Sequence, residues 1–171
     1  MEKLLEFIEY FEGSYRVSMD SITDIDRKLI RLLQEDCRVS NHDLAARAGL
    51  STSACWRRVR ALEEAGVISR CVALVDPEIT GLGFRAMVHV SLVRTDRKYV
   101  NEFISCVKLR PEVLQCFATA GTPDYHLLVM CEDLNAYNRF YDEFLFKLAS
   151  IGNVTTNLIL QTIKSEIKLP L

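Results

Sequence analysis

The sequence predicts an α+β chain: an N-terminal winged helix-turn-helix unit over residues 21–75, then a βαββαβ, ferredoxin-like unit over 85–171. Three observations carry this. Ser40 to Ile68 reads as two helices at an angle about Gly49, with a further amphipathic stretch just upstream. From Phe84 the apolar period switches to strand-like alternation, with helical stretches between. Asp76-Pro77 and Gly81-Leu82-Gly83 between them are turn chemistry and set a linker at 76–84.

Each element has a local reason. Residues 1–18 place Leu4, Leu5, Ile8 and Phe11 at helical spacing against an acidic face, an N-terminal extension (1–20) that either docks on a neighbour or precedes a true start at Met19. Asp24–Gln34 is the first helix, capped by Thr23 or Asp24, with a stripe of Ile25, Leu29, Leu32 and Leu33. Ser40 with Asp43 resembles a capping box and opens the second helix. Ser51, Thr52 and Ser53 offer capping hydroxyls to the third, and Gly66 closes it as a C′ glycine. Val67–Val75 alternates and is expected as a strand, either a small wing or a tie to a partner chain.

In the second unit Phe84–Leu92, Val113–Thr119 and Tyr125–Cys131 read as strands. A helix spans Asp96–Leu109, with Val100, Phe103, Ile104 and Val107 inward. Asp133 caps a longer one bearing Tyr137, Phe140, Tyr141, Phe144 and Leu148, which Gly152-Asn153 ends. A last strand begins at Val154 and runs to Ile163 or Lys168. This order is the split βαβ arrangement. Leu128, Met130, Leu158 and Leu160 are expected on an open sheet face that a second copy would cover.

The totals narrow the function. About half of the 171 residues are apolar, and the formal net charge is −2. That excludes a strongly basic, sequence-blind nucleic-acid binder and requires any DNA affinity to be local. The six cysteines show no C-x-x-C pair and are expected as buried, reduced thiols. The three histidines are scattered, giving no support for a metal site, and no cofactor is expected. No secretory signal and no membrane-length apolar run are evident, so a cytoplasmic, membrane-free protein is expected.

The third helix carries the functional reading. Cys55, Val59 and Leu62 fall on one side; Ser53, Arg57, Arg60 and Glu64 fall on the other, with Trp56 on the flank. No acidic residue interrupts Ser51–Leu62. A packed back and a front of hydroxyls and arginines suit a helix that enters the major groove of double-stranded DNA. Ser51, Thr52 and Ser53 are expected on phosphates or base edges, Arg57 and Arg60 on bases, and Arg47 and Arg58 on phosphates. Trp56 would meet a sugar or thymine methyl, or else be structural. The plain alternative is a solvated basic face.

This order of units resembles the Lrp/AsnC (feast/famine) family of regulators. The resemblance rests on Asp26-Arg27-Lys28-Leu29-Ile30, Leu32-Leu33-Gln34, Asp43-Leu44-Ala45, Gly49-Leu50-Ser51, Arg58-Val59, Leu62-Glu63 and Gly66-Val67-Ile68. Pro111-Glu112-Val113, Gly121-Thr122-Pro123-Asp124-Tyr125 and Ile167-Lys168-Leu169-Pro170-Leu171 complete it. It implies a transcription factor that responds to an amino acid, with the second unit acting as the effector-binding (RAM) and oligomerisation domain. It also implies homodimers that assemble to octamers or larger. The effector would lie between dimers at Gly121, Pro123, Asp124 and Tyr125, with Thr155 and Asn157 supplied by a neighbouring dimer. Physically, exposed amides could hold an α-carboxylate and Asp124 an α-ammonium; a plain hairpin turn with Asp bonding backbone is the competing account.

Two other classes compete. One is a metabolite-sensing module that regulates a partner without binding DNA, against which the arginine cluster argues. The other is an enzyme using Cys37, His42 and Asp43, which lacks any sign of an oxyanion site.

Overall fold

The computed structural model describes residues 22–93 and 97–171. The expected N-terminal helix, the start at Met19 and the helix-opening Asp96 lie outside these residues. The chain divides into two compact units. One comprises the described residues up to Leu74 together with Ser165–Leu171; the other is Val75–Lys164.

The N-terminal unit has α1 (Asp24–Glu35), α2 (Asn41–Ala48) and α3 (Thr52–Glu64). None is long enough to be stable alone in water. They hold one another through Leu29, Leu44, Ala45, Ala48 and Cys55, with Leu32, Leu33, Val39, Leu50 and Val59 packed around. Full burial of a leucine contributes about 2 kcal/mol, so this small core outweighs local propensity. Thr23 caps α1 in a full capping box with Asp26. Ser40 caps α2, but its reciprocal bond runs hydroxyl to Asp43 carboxylate (2.7 Å). Gly49 ends α2 at φ 77°, and its amide closes on Ala45 and Ala46 carbonyls. Two polar bonds link the helices: Lys28 Nζ donates to the Ala48 carbonyl (3.3 Å) and Asn41 Nδ2 to that of Thr52 (3.0 Å).

Two expectations fail here. Val67–Val75 forms no strand. It has the side chains of one but no ladder partner, and without a partner extended backbone is not a sheet. Val72, Leu74 and Val75 stand exposed. Residues 165–171 also leave the second unit and pack with the first. Gln34 brackets Leu169, accepting from its amide (2.6 Å) and donating to its carbonyl (3.3 Å), and Arg31 donates to the Leu171 carbonyl (3.0 Å).

The second unit has β1 (Phe84–Leu92), α4 (Arg97–Lys108), β2 (Val113–Ala118), β3 (Tyr125–Cys131), α5 (Leu134–Phe140) and β4 (Ile151–Leu158). The sheet is antiparallel in order β2-β3-β1-β4. Ala86, Val88, Val90, Leu127 and Val129 face a core shared with Phe103, Phe140 and Leu145. After α5 the chain widens into a π turn, Tyr141–Leu145. β4 starts three residues before the expected Val154, taking in Gly152 and Asn153. Gly152 is there for space: a Cβ would lie 2.9 Å from Val93 Cγ2.

The register also corrects the expected open face. Leu158 pairs with Ala86 and shares its helix-covered side, and Leu160 lies beyond β4. The open side does hold the expected Leu128 and Met130, together with Met87, His89 and His126. Among the described residues no helix is long and apolar enough to cross a membrane.

Candidate functional site

Ser51 caps α3, its hydroxyl accepting from the Ala54 amide (3.3 Å) and lying 3.4 Å from that of Ser53. Cys55 and Leu62 are buried on the back of the helix, and Val59 is half-buried with them. Ser51, Thr52, Ser53, Arg57 and Arg60 are exposed on the remaining surface, and Trp56 is 60% exposed. The indole therefore does not serve the core of its own chain. Gly66, at φ 72°, turns the chain out of the helix.

The four arginines differ. Arg57 has no acidic partner among the described residues. Arg60 pairs with Glu64 one turn on (3.1 Å), an exposed pair that is easily exchanged for another anion. Arg47 pairs with Glu35 (2.6 Å). Arg58 reaches inward: its Nη1 lies 2.8 Å from Asp26 Oδ1 and 3.4 Å from Thr23 Oγ1. Burial of Asp26 opposes its charge, yet the hydroxyl and amide of Thr23 and the guanidinium of Arg58 outweigh this and hold its carboxyl below the usual value. In the chain by itself Arg58 thus bonds α3 to the start of α1, with its side chain still 39% exposed.

The turn between β2 and β3 is closed on itself. The Thr119 amide donates to the Asp124 carbonyl (2.9 Å), its hydroxyl donates to the Pro123 carbonyl (2.8 Å), and Thr122–Pro123 is cis. Gly121 is exposed with open space where a Cβ would be. Asp124 Oδ2 accepts from the Leu92 amide (2.8 Å), so one carboxylate oxygen ties the turn to the end of β1. Tyr125 is buried, with its ring against Phe103 at a centroid distance of 4.6 Å. Thr155 pairs with His89, which pairs with His126, so Thr155 and Asn157 lie across the sheet from the turn. A single chain does not bring the six expected effector residues together.

Some groups escaped the sequence reading. His89 and His126 are directly opposed, with Nδ1 atoms 2.8 Å apart, and Asn157 Nδ2 lies 2.9 Å from His89 Nε2. Both histidines occupy outward positions of alternating strands, but only the register joins them. Arg110 lies over the Phe140 and Phe144 rings (5.4 and 5.3 Å) and pairs with Glu112 (3.1 Å), in a cleft of about 400 Å³. Of the enzyme-like set, Asp43 is held by Ser40, and no hydrogen bond links His42 to Cys37 among the described residues.

Comparison with known proteins agrees with this architecture. Residues 22–69 match the winged helix-turn-helix DNA-binding family, and residues 85–169 match the Lrp/AsnC ligand binding domain. The chain is similar to the DNA-binding transcriptional activator DecR of Escherichia coli K12, 36% identical over 147 residues, covering 86% of this chain and 97% of that one. It superposes on the transcriptional regulator NMB0573 of Neisseria meningitidis, solved as a complex with L-Met, with TM-score 0.83 and 35% identity; the match covers 88% of this chain and 97% of that one. An AsnC family transcriptional regulator from Agrobacterium tumefaciens gives TM-score 0.82 and 36% identity, covering 86% and 96%. With near-complete coverage by such relatives and a matching domain in each half, the chain belongs to the Lrp/AsnC family of transcriptional regulators.

Proposed function

We propose that this protein is a cytoplasmic, sequence-specific DNA-binding regulator whose assembly and DNA binding respond to an amino acid or a related small metabolite. The observation that carries the DNA reading is α3 itself: buried on its back, exposed at Ser51–Ser53, Trp56, Arg57 and Arg60. In this reading Arg57 and Arg60 read bases, the hydroxyls and Arg47 hold backbone phosphates, and Trp56 packs on a sugar or thymine methyl. A homodimer places two such helices in successive major grooves, and further assembly to octamers strengthens binding through multivalency.

Arg57→Ala tests it. Loss of a bidentate base contact weakens specific binding by about tenfold or more, read by fluorescence anisotropy on a selected operator. Unchanged affinity would remove Arg57 from the interface.

The effector reading places the ligand's polar groups at the exposed amides around Gly121 and at Pro123 and Asp124, with Thr155 and Asn157 from a neighbouring dimer. It is supported by the matching ligand-binding domain and by the L-Met bound to the Neisseria relative. Asp124 keeps one oxygen free of its bond to Leu92 for an ammonium group. A thermal-shift screen of the amino acids checks it: a ligand at one hundred times its Kd adds about 2.7 kcal/mol and raises Tm. Absence of any shift across the set would exclude amino acids as the effector.

A further inference from the structure

The cysteines are not the uniformly buried set expected from sequence. Cys55 and Cys131 are buried, whereas Cys71 and Cys116 are exposed and Cys37 and Cys106 half-buried. Two of the accessible ones meet. Cys37 sits in the turn after α1, and Cys71 in the extended segment that leaves α3, 34 residues later. The Cys71 thiol lies 3.9 Å from the Cys37 carbonyl, which places it against the backbone of the other cysteine. Neither residue is in a helix or a strand. A disulfide needs a Cα separation of about 5.5 Å, and backbone adjustment toward it at these two positions breaks no helix or ladder hydrogen bond.

We propose that Cys37 and Cys71 form a dithiol that closes to a reversible disulfide under oxidation by a peroxide. One thiolate attacks the peroxide, takes one oxygen as a sulfenic acid and releases hydroxide. The second thiolate then attacks that sulfur, the S–S bond forms, and the departing hydroxide is protonated. Two thiols and one hydrogen peroxide give one disulfide and two waters.

The electrostatics of the pair order these steps. A hydrogen bond donated by the Cys71 thiol toward Cys37, with burial and the charges of Cys37 and Glu63, pushes the Cys71 thiol up. Cys71 therefore keeps its proton while Cys37 is reduced. Once Cys37 is oxidised its thiol no longer holds that hydrogen bond, and Cys71 is released to resolve the sulfenic acid. The cross-link would pin residues beside Val72 and Leu74, whose exposed side chains find no strand partner among the described residues, to the turn after α1. Oxidation thereby immobilises the segment that follows the arginine-bearing helix. This inference is independent of any effector.

The test uses the full chain, titrated with hydrogen peroxide, blocked with iodoacetamide, digested without reduction and read by mass spectrometry. The expected product is a peptide pair joined through Cys37 and Cys71. It forms at the same yield across protein concentrations, disappears with dithiothreitol, persists in the double variant C106S/C116S and is lost in C71S. Cys71 is exposed, so C71S keeps its fold, checked by an unchanged far-UV spectrum. Chain-to-chain disulfides through Cys71 or Cys116 in place of the internal link, or sulfinic and sulfonic acids at both positions with no cross-link, would overturn the proposal.

Discussion

Asp26 and Arg58 show how one residue's partners decide its role. Asp26 is 7% exposed and accepts from the hydroxyl and amide of Thr23 and from the Arg58 guanidinium. Arg58→Ala leaves that carboxylate with only its cap partners. It should cost about 1–2 kcal/mol in urea unfolding, the exposed half of the pair tempering the loss. Arg57→Ala, with no such partner, should stay within about 0.5 kcal/mol, so stability separates the arginine that bonds Asp26 from the one proposed to read DNA. The pH dependence has a definite sign. The folded-state carboxyl lies below its ordinary value of 3.8. Its contribution is therefore complete above the unfolded value and is lost as pH falls through the folded one. Asp26→Asn should flatten the acid side of the stability profile below about pH 4; a profile identical to that of the parent protein would show that another carboxylate governs it.

At the scale of elements, the helix-turn-helix angle depends on one backbone conformation. Gly49 sits at φ 77°, and a Cβ there would meet nothing within 4 Å. The cost of Gly49→Ala is therefore conformational rather than steric, about 1–2 kcal/mol, seen as a lower Tm; Gly49→Asn should cost less because asparagine tolerates this region. An equal loss for both would point to something other than φ. This turn was legible in the sequence because a glycine between capped helices has few other uses. The caps at Thr23, Ser40, Ser51 and Asp133 were legible for the same local reason. What was not legible was anything set by a partner strand. Val67–Val75 has strand composition and no strand, because pairing is not a property of a single segment. Gly152 looked like a helix stop, yet it sits inside β4, where Val93, just past the end of β1, leaves no room for a side chain. Likewise the alternation of β4 could not be phased until its register with β1 placed Leu158 on the covered side.

For the whole molecule, the decisive surface is the open face of the sheet. The two central strands, β1 and β3, bury one side against the helix-bearing core, while their other side presents Met87, Leu128 and Met130 around the His89–His126 pair. An apolar centre carrying a polar pair at hydrogen-bonding distance resembles the core-and-rim composition of subunit interfaces more than a solvated surface. If two copies meet there, as proposed for the dimer, the effect of a charge is large and directional. Leu128→Asp would bury two carboxylates symmetrically across the two-fold axis, each desolvated without a partner. The same charge leaves the helix-facing core untouched, since Leu128 points away from Val88, Leu127 and Val129. Sedimentation velocity of this variant should therefore show monomer with unchanged far-UV dichroism. DNA affinity should fall as well, because a monomer offers one reading helix where the dimer offers two. A dimer that survives Leu128→Asp would mean that the copies associate through some other surface, and the spacing of the two α3 helices would then have to be derived from that contact.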